Sequence, residues 1–336
     1  MQSDQLRRRE FLSLIGGAAT LSPLAARAQP RERIKRIGAL MGIAENDPEA
    51  RAWVSAFQRG LAELGWIEGH NVQMEFRWPA GDTAVMLVQA ADLVAHQPDV
   101  ILSHATPATA AIHKTTRSIP NVFVVVADPV GSGFVDSFPR PGGMSTGFTN
   151  FETTIGSKWL ELLKEVSSGL VRVAMLYNPA TSPGGRDAIH TRSINAAAPS
   201  FGVSVVASPF HGTEDIDMAF AAHGRDRTPV IIIPDTSTTL HSRFIVEAAA
   251  RHHVPTIYPY RDFVNFGGLL SYGVDRAGLY RRAASYVDHI LRGTLPADLP
   301  VQNPTKYELA INLKTARALG LELSPMLLAR ADEVIE

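Results

Sequence analysis

Short β-rich runs alternate with stretches of helical periodicity from Arg33 onward. This alternation is typical of an α/β protein in which helices cover both faces of a parallel sheet. Apolar residues recur at helical spacing from Trp53 to Leu64 and predict one amphipathic helix, which Gly65 ends. The apolar runs predict strands at Ile37–Met41, Val72–Trp78, Val100–Ser103, Val122–Ala127, Arg172–Tyr177, Val203–Ser208, Val230–Pro234, Thr256–Tyr260 and Leu269–Tyr272.

The order of these segments repeats within the chain. Arg36-Ile-Gly-Ala-Leu resembles Arg172-Val-Ala-Met-Leu, and Ile119-Pro120 resembles Val254-Pro255. The repeats are separated by about 135 residues, which predicts two lobes of the same β/α design. Ligands of open α/β sheets bind beyond the carboxyl ends of the strands. We therefore expect the site in a cleft between the lobes, among the loops that follow strands.

The first 28 residues predict an export signal. Arg7-Arg8-Arg9 precedes an apolar run from Phe11 to Ala19, and Ala26-Arg27-Ala28 places cleavage before Gln29. The adjacent arginines followed by Phe11-Leu12 fit the twin-arginine type, although the general pathway stays open. The apolar run is too short for a membrane span of ~20 residues. We expect the mature protein in the periplasm.

Composition excludes several classes of function. The 336 residues are 45% hydrophobic and 19% charged, which is enough apolar material for two cores. A formal net charge of −1 leaves no basic excess for nucleic acid. Cysteine is absent, so disulfides and thiolate metal sites are excluded. No nucleotide-binding or zinc-protease motif occurs, so we expect no cofactor and no metal.

One motif of serine hydrolases is present but in the wrong setting. Gly143-Met-Ser145-Thr-Gly147 matches G-x-S-x-G, which requires a strand before it and a helix after it. Here Pro139 and Pro141 precede the motif and a β-like segment follows. We do not expect an enzyme.

The loop after the third predicted strand offers a place for a carboxylate. Thr106 is the predicted N-cap of the next helix and Pro107 its first residue, with Ala105 directly before the cap. Free backbone N–H groups at such a helix start bind anions. The alternative is that Thr106 is only a cap.

Each lobe also places one carboxylate at a strand end. Asp128 follows the strand at Val122–Ala127, and Asp235 follows the strand at Val230–Pro234. Either carboxylate could accept hydrogen bonds from a ligand ammonium or could bond its own turn. The remaining candidates are polar side chains of the second lobe and aromatic rings that could stack on a planar ligand, with ordinary core packing as their alternative. They are Asn178, Ser182, Thr236, Tyr260, Phe263 and Tyr272.

Several longer stretches resemble a known family. They include GLAELGWIEGHNV, ADPVGSGFVDSFPRPGG, YRDFVNFGGLLSYG and LLARADEVIE. Along nearly its whole length the chain resembles the ABC-transporter substrate-binding proteins that include tryptophan-binding, TrpX-like members. Characterised relatives bind aromatic amino acids or other small carboxylates. Many members have glycine before the Thr-Pro turn, whereas this chain has Ala105 preceded by His104.

The resemblance implies a type I periplasmic binding protein fold, with two Rossmann-like lobes hinged around a cleft. It implies that the helix at Leu279–Leu291 returns to the first lobe. We therefore expect an N-terminal lobe of residues 34–150 and about 277–295, and a C-terminal lobe of residues 151–272. The segment 296–336 is left unassigned. The hinge crossings are expected near Asn150 and near Tyr272-Gly273.

The expected function is capture of a small carboxylate, such as an aromatic amino acid or aromatic acid, and its delivery to an ABC permease of the inner membrane. We expect a monomer. A ligand sensor for a membrane receptor or kinase would need the same pocket and stays an alternative. A periplasmic enzyme is a weaker alternative, because the chain lacks cysteine and nucleotide motifs.

Overall fold

The first sheet has five parallel strands in the order β2-β1-β3-β4-β5. Strands β3, β4 and β5 are buried along their whole length, as expected for a parallel sheet with both faces covered. The strands are β1 (Lys35–Leu40), β2 (Val72–Arg77), β3 (Val100–His104), β4 (Asn121–Val126) and β5 (Ser145–Thr149). The helices between them are α1 (Pro48–Glu63), α2 (Thr83–Ala95) and α3 (Ala105–Thr115).

The second sheet has seven strands in the order β12-β11-β10-β9-β8-β6-β7, in which only the β10–β11 pair is antiparallel. Its strands are β6 (Arg172–Tyr177), β7 (Ser204–Pro209), β8 (Val230–Ile232), β9 (Thr256–Tyr258), β10 (Leu270–Val274), β11 (Tyr307–Asn312) and β12 (Glu333–Ile335). The remaining helices are α4 (Ile155–Val166), α5 (Ile189–Phe201), α6 (Thr213–Arg225), α7 (Thr236–Leu240), α8 (Ser242–Arg251), α9 (Arg261–Asn265), α10 (Arg276–Leu291), α11 (Leu313–Ala318) and α12 (Pro325–Ala329).

The computed structural model describes residues 33–167, 169–182 and 188–336. The predicted export signal lies outside the described residues. Within them, no helix is long and apolar enough to cross a membrane. The chain from Ile34 to Glu336 forms one compact unit.

Helix α1 shows how the sequence produces the first layer. The Asp47 side chain accepts hydrogen bonds from the Glu49 and Ala50 backbone N–H groups, and Pro48 opens the helix. Its apolar face packs against α10. At Gly60 a Cβ atom would lie 2.8 Å from the Ala284 Cβ, so glycine permits this close approach. The pairing of α1 with α10 brings a late segment of the chain to the first sheet.

The chain crosses between the sheets three times. It leaves the first sheet after Thr149, returns after β10 as α10, and enters the second sheet again as β11. On the way, Gln302 forms a bridge with Phe148 at the edge of the first sheet. Residues 307–312 and 333–335, which sequence reasoning left unassigned, are strands of the second sheet. The lobe limits themselves stay a prediction.

Candidate functional site

A cavity of about 330 Å³ lies between the carboxyl ends of the two sheets. The loops after β3 and β4 line it from one side, and the loops after β6 and β8 line it from the other. Tyr260 and Arg276 also line it, close to a chain crossing. This is the place that the strand order of open α/β sheets predicts.

Seven of the candidate residues line this cavity, and three do not. The lining residues are Ala105, Thr106, Asp128, Ser182, Asp235, Thr236 and Tyr260. Asn178 lies beside the cavity, where its Nδ2 donates to Ser237 Oγ at 3.0 Å and its backbone N–H donates to Asp235 Oδ2 at 3.4 Å. Asn178 therefore braces the loop that carries Asp235.

Two aromatic candidates point elsewhere. The Phe263 ring is fully buried and stacks on Tyr258 with centroids 5.1 Å apart. The Tyr272 ring stacks on Tyr307 at 5.6 Å, and its carbonyl oxygen accepts from Trp159 Nε1. Both belong to the packing of the second sheet and neither lines the cavity.

The predicted cap at Thr106 is wrong. Helix α3 begins at Ala105, two residues before the predicted first residue Pro107, and no side chain caps it. Ala105 has a φ of +66°, in the left-handed region that side chains disfavour. Val125, which also lines the cavity, has a φ of +64° where the β4–β5 register is interrupted. Backbone strain of this kind concentrates at functional sites.

Asp235 is held by its own loop. Its Oδ1 accepts a hydrogen bond from the Thr238 backbone N–H at 2.8 Å, and this bond caps α7. The same oxygen accepts a second hydrogen bond from Thr181 Oγ1 at 3.1 Å. Burial is the main cause that raises the pKa of Asp235 to about 6, and these hydrogen bonds oppose it. The carboxylate thus both ties a turn and faces the cavity.

Asp128 also bonds its own turn. Its Oδ1 accepts from the Gly131 backbone N–H at 2.7 Å. Its Oδ2 lies 3.8 Å from an Nη atom of Arg192, which comes from the opposite side of the cavity. The Asp128–Arg192 pair therefore joins the two walls.

Three buried polar atoms of lining residues have no hydrogen-bond partner within the described parts of the chain. They are Asn150 Oδ1, His190 Nε2 and Thr236 Oγ1. Asn150 uses its other side-chain atom, since Nδ2 donates to Tyr260 Oη at 2.9 Å. Buried polar atoms in native proteins are almost always paired. A polar ligand in the cavity could supply the missing partners for all three atoms.

Two histidines line the cavity as neutral rings. Burial lowers the pKa of both His104 and His190 to about 3. His104 Nδ1 is 2.8 Å from Tyr280 Oη, and its ring stacks on Trp53 at 5.1 Å. Sequence reasoning noted His104 only as a departure from the family and missed His190, which opens α5 rather than following a strand.

Arg276 is another lining residue that sequence reasoning missed. It is 6% exposed, forms an ion pair with Asp262, and lies over the rings of Trp53 at 4.2 Å and Tyr260 at 4.0 Å. A basic residue in the first turn of a helix opposes the helix dipole, and this anomaly was the available signal.

The described residues contain no group of three or more histidines and acids that could hold a metal ion. The lining instead combines two carboxylates, two arginines that each face an acid, and two neutral histidines. Such a lining can bind a small ligand that carries both charged and apolar parts.

Comparison with known proteins agrees with this fold. The family model "ABC transporter substrate binding protein" matches residues 41–335. A tyrosine-binding protein of Clostridioides difficile is 25% identical over 267 residues, covering 79% of this chain and 76% of the relative.

Two solved structures are similar along most of the chain. A domain of an ABC protein from Streptococcus pneumonia, in complex with L-Trp, has a TM-score of 0.82 and 24% identity, covering 90% of this chain and 99% of its own. A conserved domain protein from Vibrio cholerae has a TM-score of 0.82 and 26% identity, covering 90% and 100%. The two parallel-sheet lobes are thus those of the type I periplasmic binding proteins, and the chain belongs to the ABC transporter substrate-binding proteins, a family that binds small ligands for ABC transporters.

Proposed function

We propose that this protein is the periplasmic solute-binding component of an ABC uptake transporter and that it holds an aromatic amino acid or aromatic acid between its lobes. The observation that carries the proposal is the cavity between the sheets, where Asn150, His190 and Thr236 each leave a buried polar atom unpaired. A ligand that bonds these atoms recovers the free energy that their burial costs.

The relatives support the aromatic class. One is called a tyrosine-binding protein, and one similar structure contains L-Trp. The cavity has the volume for such a ligand, since small-molecule sites span roughly 300–1,000 Å³.

We propose that the ligand carboxylate lies at the start of α3, near Thr106, where the backbone N–H groups of the first turn have no intrahelical acceptor. The amine of an amino acid would then face Asp128 or Asp235, and the Tyr260 ring would cover the apolar part. All four residues line the cavity.

Transport follows from closure. A ligand with partners on both walls has higher affinity for the closed lobes and shifts the population toward them. The permease would recognise the closed surface. Export by the segment 1–28 would place the mature protein in the periplasm.

Calorimetric melting of the chain from Gln29 onward, with aromatic amino acids, aromatic acids and sugars, tests the proposal. A ligand at ~100 times its Kd adds about 2.7 kcal/mol to the free energy of unfolding. We expect a clear rise in melting temperature with an aromatic amino acid or acid and none with sugars. No rise with any aromatic ligand would refute the proposed ligand class.

Two substitutions test the site. Thr106→Val keeps the shape of the side chain and removes its hydroxyl, and Asp235→Ala removes the carboxylate. Each is expected to weaken binding while the free protein stays folded. Unchanged affinity in both variants would remove this placement of the ligand.

A further inference from the structure

His190 occupies an unusual position among the buried histidines of the described chain. It is 3% exposed, it lines the cavity, and its Nε2 has no partner among the described residues. His104, the other buried histidine of the cavity, already pairs its Nδ1 with Tyr280. A polar atom buried without a partner costs free energy, so His190 calls for an explanation that packing alone does not supply.

Aromatic neighbours hold the His190 ring in place. The Phe151 ring meets it edge to face with centroids 4.9 Å apart, and the Trp159 ring stacks on it at 6.0 Å. Trp159 is itself anchored, because its Nε1 donates to the Tyr272 carbonyl at 2.7 Å. The imidazole is therefore preorganised, and little conformational entropy is lost when a ligand bonds it.

The ring is also neutral, because burial lowers the pKa of His190 to about 3. A neutral imidazole has one N–H donor and one acceptor nitrogen. It suits an uncharged partner and would not provide the full charge that holds a ligand carboxylate. Phenol hydroxyl groups can donate or accept, and an indole N–H donates, so both are suitable partners.

We propose that His190 is a specificity-determining residue that selects ligands whose ring carries a hydrogen-bonding group, a phenol hydroxyl or an indole N–H, over ligands with a plain phenyl ring. This inference rests on the proposed aromatic ligand. A plain phenyl ring fits the space but leaves the buried His190 nitrogen unpaired, whereas a ring with a hydrogen-bonding group pairs it.

Titration calorimetry of the native sequence with L-tyrosine, L-tryptophan and L-phenylalanine is the first test. We expect tyrosine or tryptophan to bind about 10-fold or more tightly than phenylalanine, as expected for one buried polar group left unpaired. Equal affinities for all three would overturn the role of His190 and leave the aromatic ligand class standing. Absence of binding by all three would instead refute the proposed function, and this inference with it.

The variant His190→Phe keeps a flat ring between Phe151 and Trp159 and removes both nitrogens. We expect its preference for the polar ring to fall to within about 3-fold, while its affinity for phenylalanine changes little. An equal loss of affinity for all three ligands, or a preference that persists, would overturn the inference.

Two further variants complete the test. His190→Gln retains a hydrogen-bonding side chain and is expected to keep part of the preference, so it provides an independent readout if His190→Phe does not fold. His223→Phe removes a half-buried histidine that pairs with Ser208 outside the cavity lining, and it should leave the preference unchanged. A loss of preference in His223→Phe would count against a specific role for His190.

Discussion

Ala105 and Val125 hold left-handed backbone conformations in the wall of the cavity. A β-branched residue such as Val125 is especially disfavoured there. At Ala105, glycine would adopt the same conformation without this strain. Alanine at position 105 thus carries a backbone cost.

Ala105→Gly is expected to raise the free energy of unfolding by up to about 1 kcal/mol, because relief of the left-handed strain exceeds the entropy that glycine loses on folding. Urea denaturation measures the change. Ala108→Gly, in the same helix but with helical geometry, is the matched control and should lower the free energy of unfolding by about 1 kcal/mol or more. A loss of stability in Ala105→Gly would contradict the prediction.

Asp235 makes the free protein less stable as the pH rises. Its pKa is about 6 in the folded state and 3.8 in the unfolded reference, so the folded state binds more protons between these values. The free energy of unfolding contributed by this group therefore falls as the pH rises from about 4 to about 6.

Asp235→Asn removes this titration and can still cap α7, since asparagine is a good N-cap residue. From pH 4 to pH 7, the free energy of unfolding of the variant should rise relative to that of the native sequence by on the order of 2 kcal/mol. Urea denaturation of the ligand-free proteins at both pH values measures it. Parallel stability profiles would show that burial does not perturb this carboxylate.

At the scale of elements, helix α7 packs against loops that follow strands of the first sheet. A Cβ atom on Gly81, in the loop before α2, would lie 2.2 Å from Leu240 Cδ1, so Leu240 packs directly on that glycine. The Thr236 methyl group also lies close to Gly42 and Gly81. Helix α7 of the second sheet thus packs on two glycines beside the first sheet. We expect opening of the cleft to separate them.

Leu240→Ala is expected to weaken ligand affinity several-fold, because it removes on the order of 1 kcal/mol of apolar burial from the closed state alone. Leu240 is not among the residues that line the cavity, so the effect would appear as faster ligand release. Stopped-flow dissociation measures it. Met218→Ala, an exposed residue of α6, is the control. Equal release rates would show that the contact has no role in closure.

The strand pattern could be predicted where apolar runs mark buried strands, as in β3, β4 and β8. Strand β5 escaped this reasoning because its sequence, STGFT, has a single large apolar residue. Its place depends on a distant segment, since the Thr149 backbone N–H donates to the Gln302 carbonyl. A local pattern contains no information about such a partner.

The site could be predicted as far as topology decides it. The loops with Thr106 and Asp235 follow strands, and strand order brings them to one edge. Whether an aromatic ring faces a cavity or a core depends on tertiary packing, so the sequence could not separate Tyr260 from Phe263. Arg276 and His190 reach the cavity from the first residues of helices, through chain crossings that no local pattern reveals.

At the scale of the whole molecule, Arg276 contacts elements beside both sheets. It lies over Trp53 of α1, beside the first sheet, and pairs with Asp262 of α9, beside the second. Asp262 is 4% exposed, and its ion pair with Arg276 offsets the cost of burying the carboxylate.

Arg276→Met is expected to lower the free energy of unfolding by about 3–5 kcal/mol, because Asp262 would be buried without its partner. Urea denaturation at pH 7 measures it. Adding Asp262→Asn to this variant should recover part of the loss, since the uncompensated charge is then gone. If Arg276→Met alone is as stable as the native sequence, the buried ion pair does not stabilise the fold.

Each cavity histidine has a tryptophan behind it, Trp53 at His104 beside the first sheet and Trp159 at His190 beside the second. Both indoles are almost fully buried, so solvent quenches neither of them directly. A ligand that displaces or polarises either histidine would alter the emission of the indole that stacks on it. Two of the four tryptophans thus stand behind the cavity, one at each wall. Replacing Trp53 or Trp159 separately by phenylalanine and comparing each variant with the native sequence would let the unlabelled protein report occupancy one wall at a time.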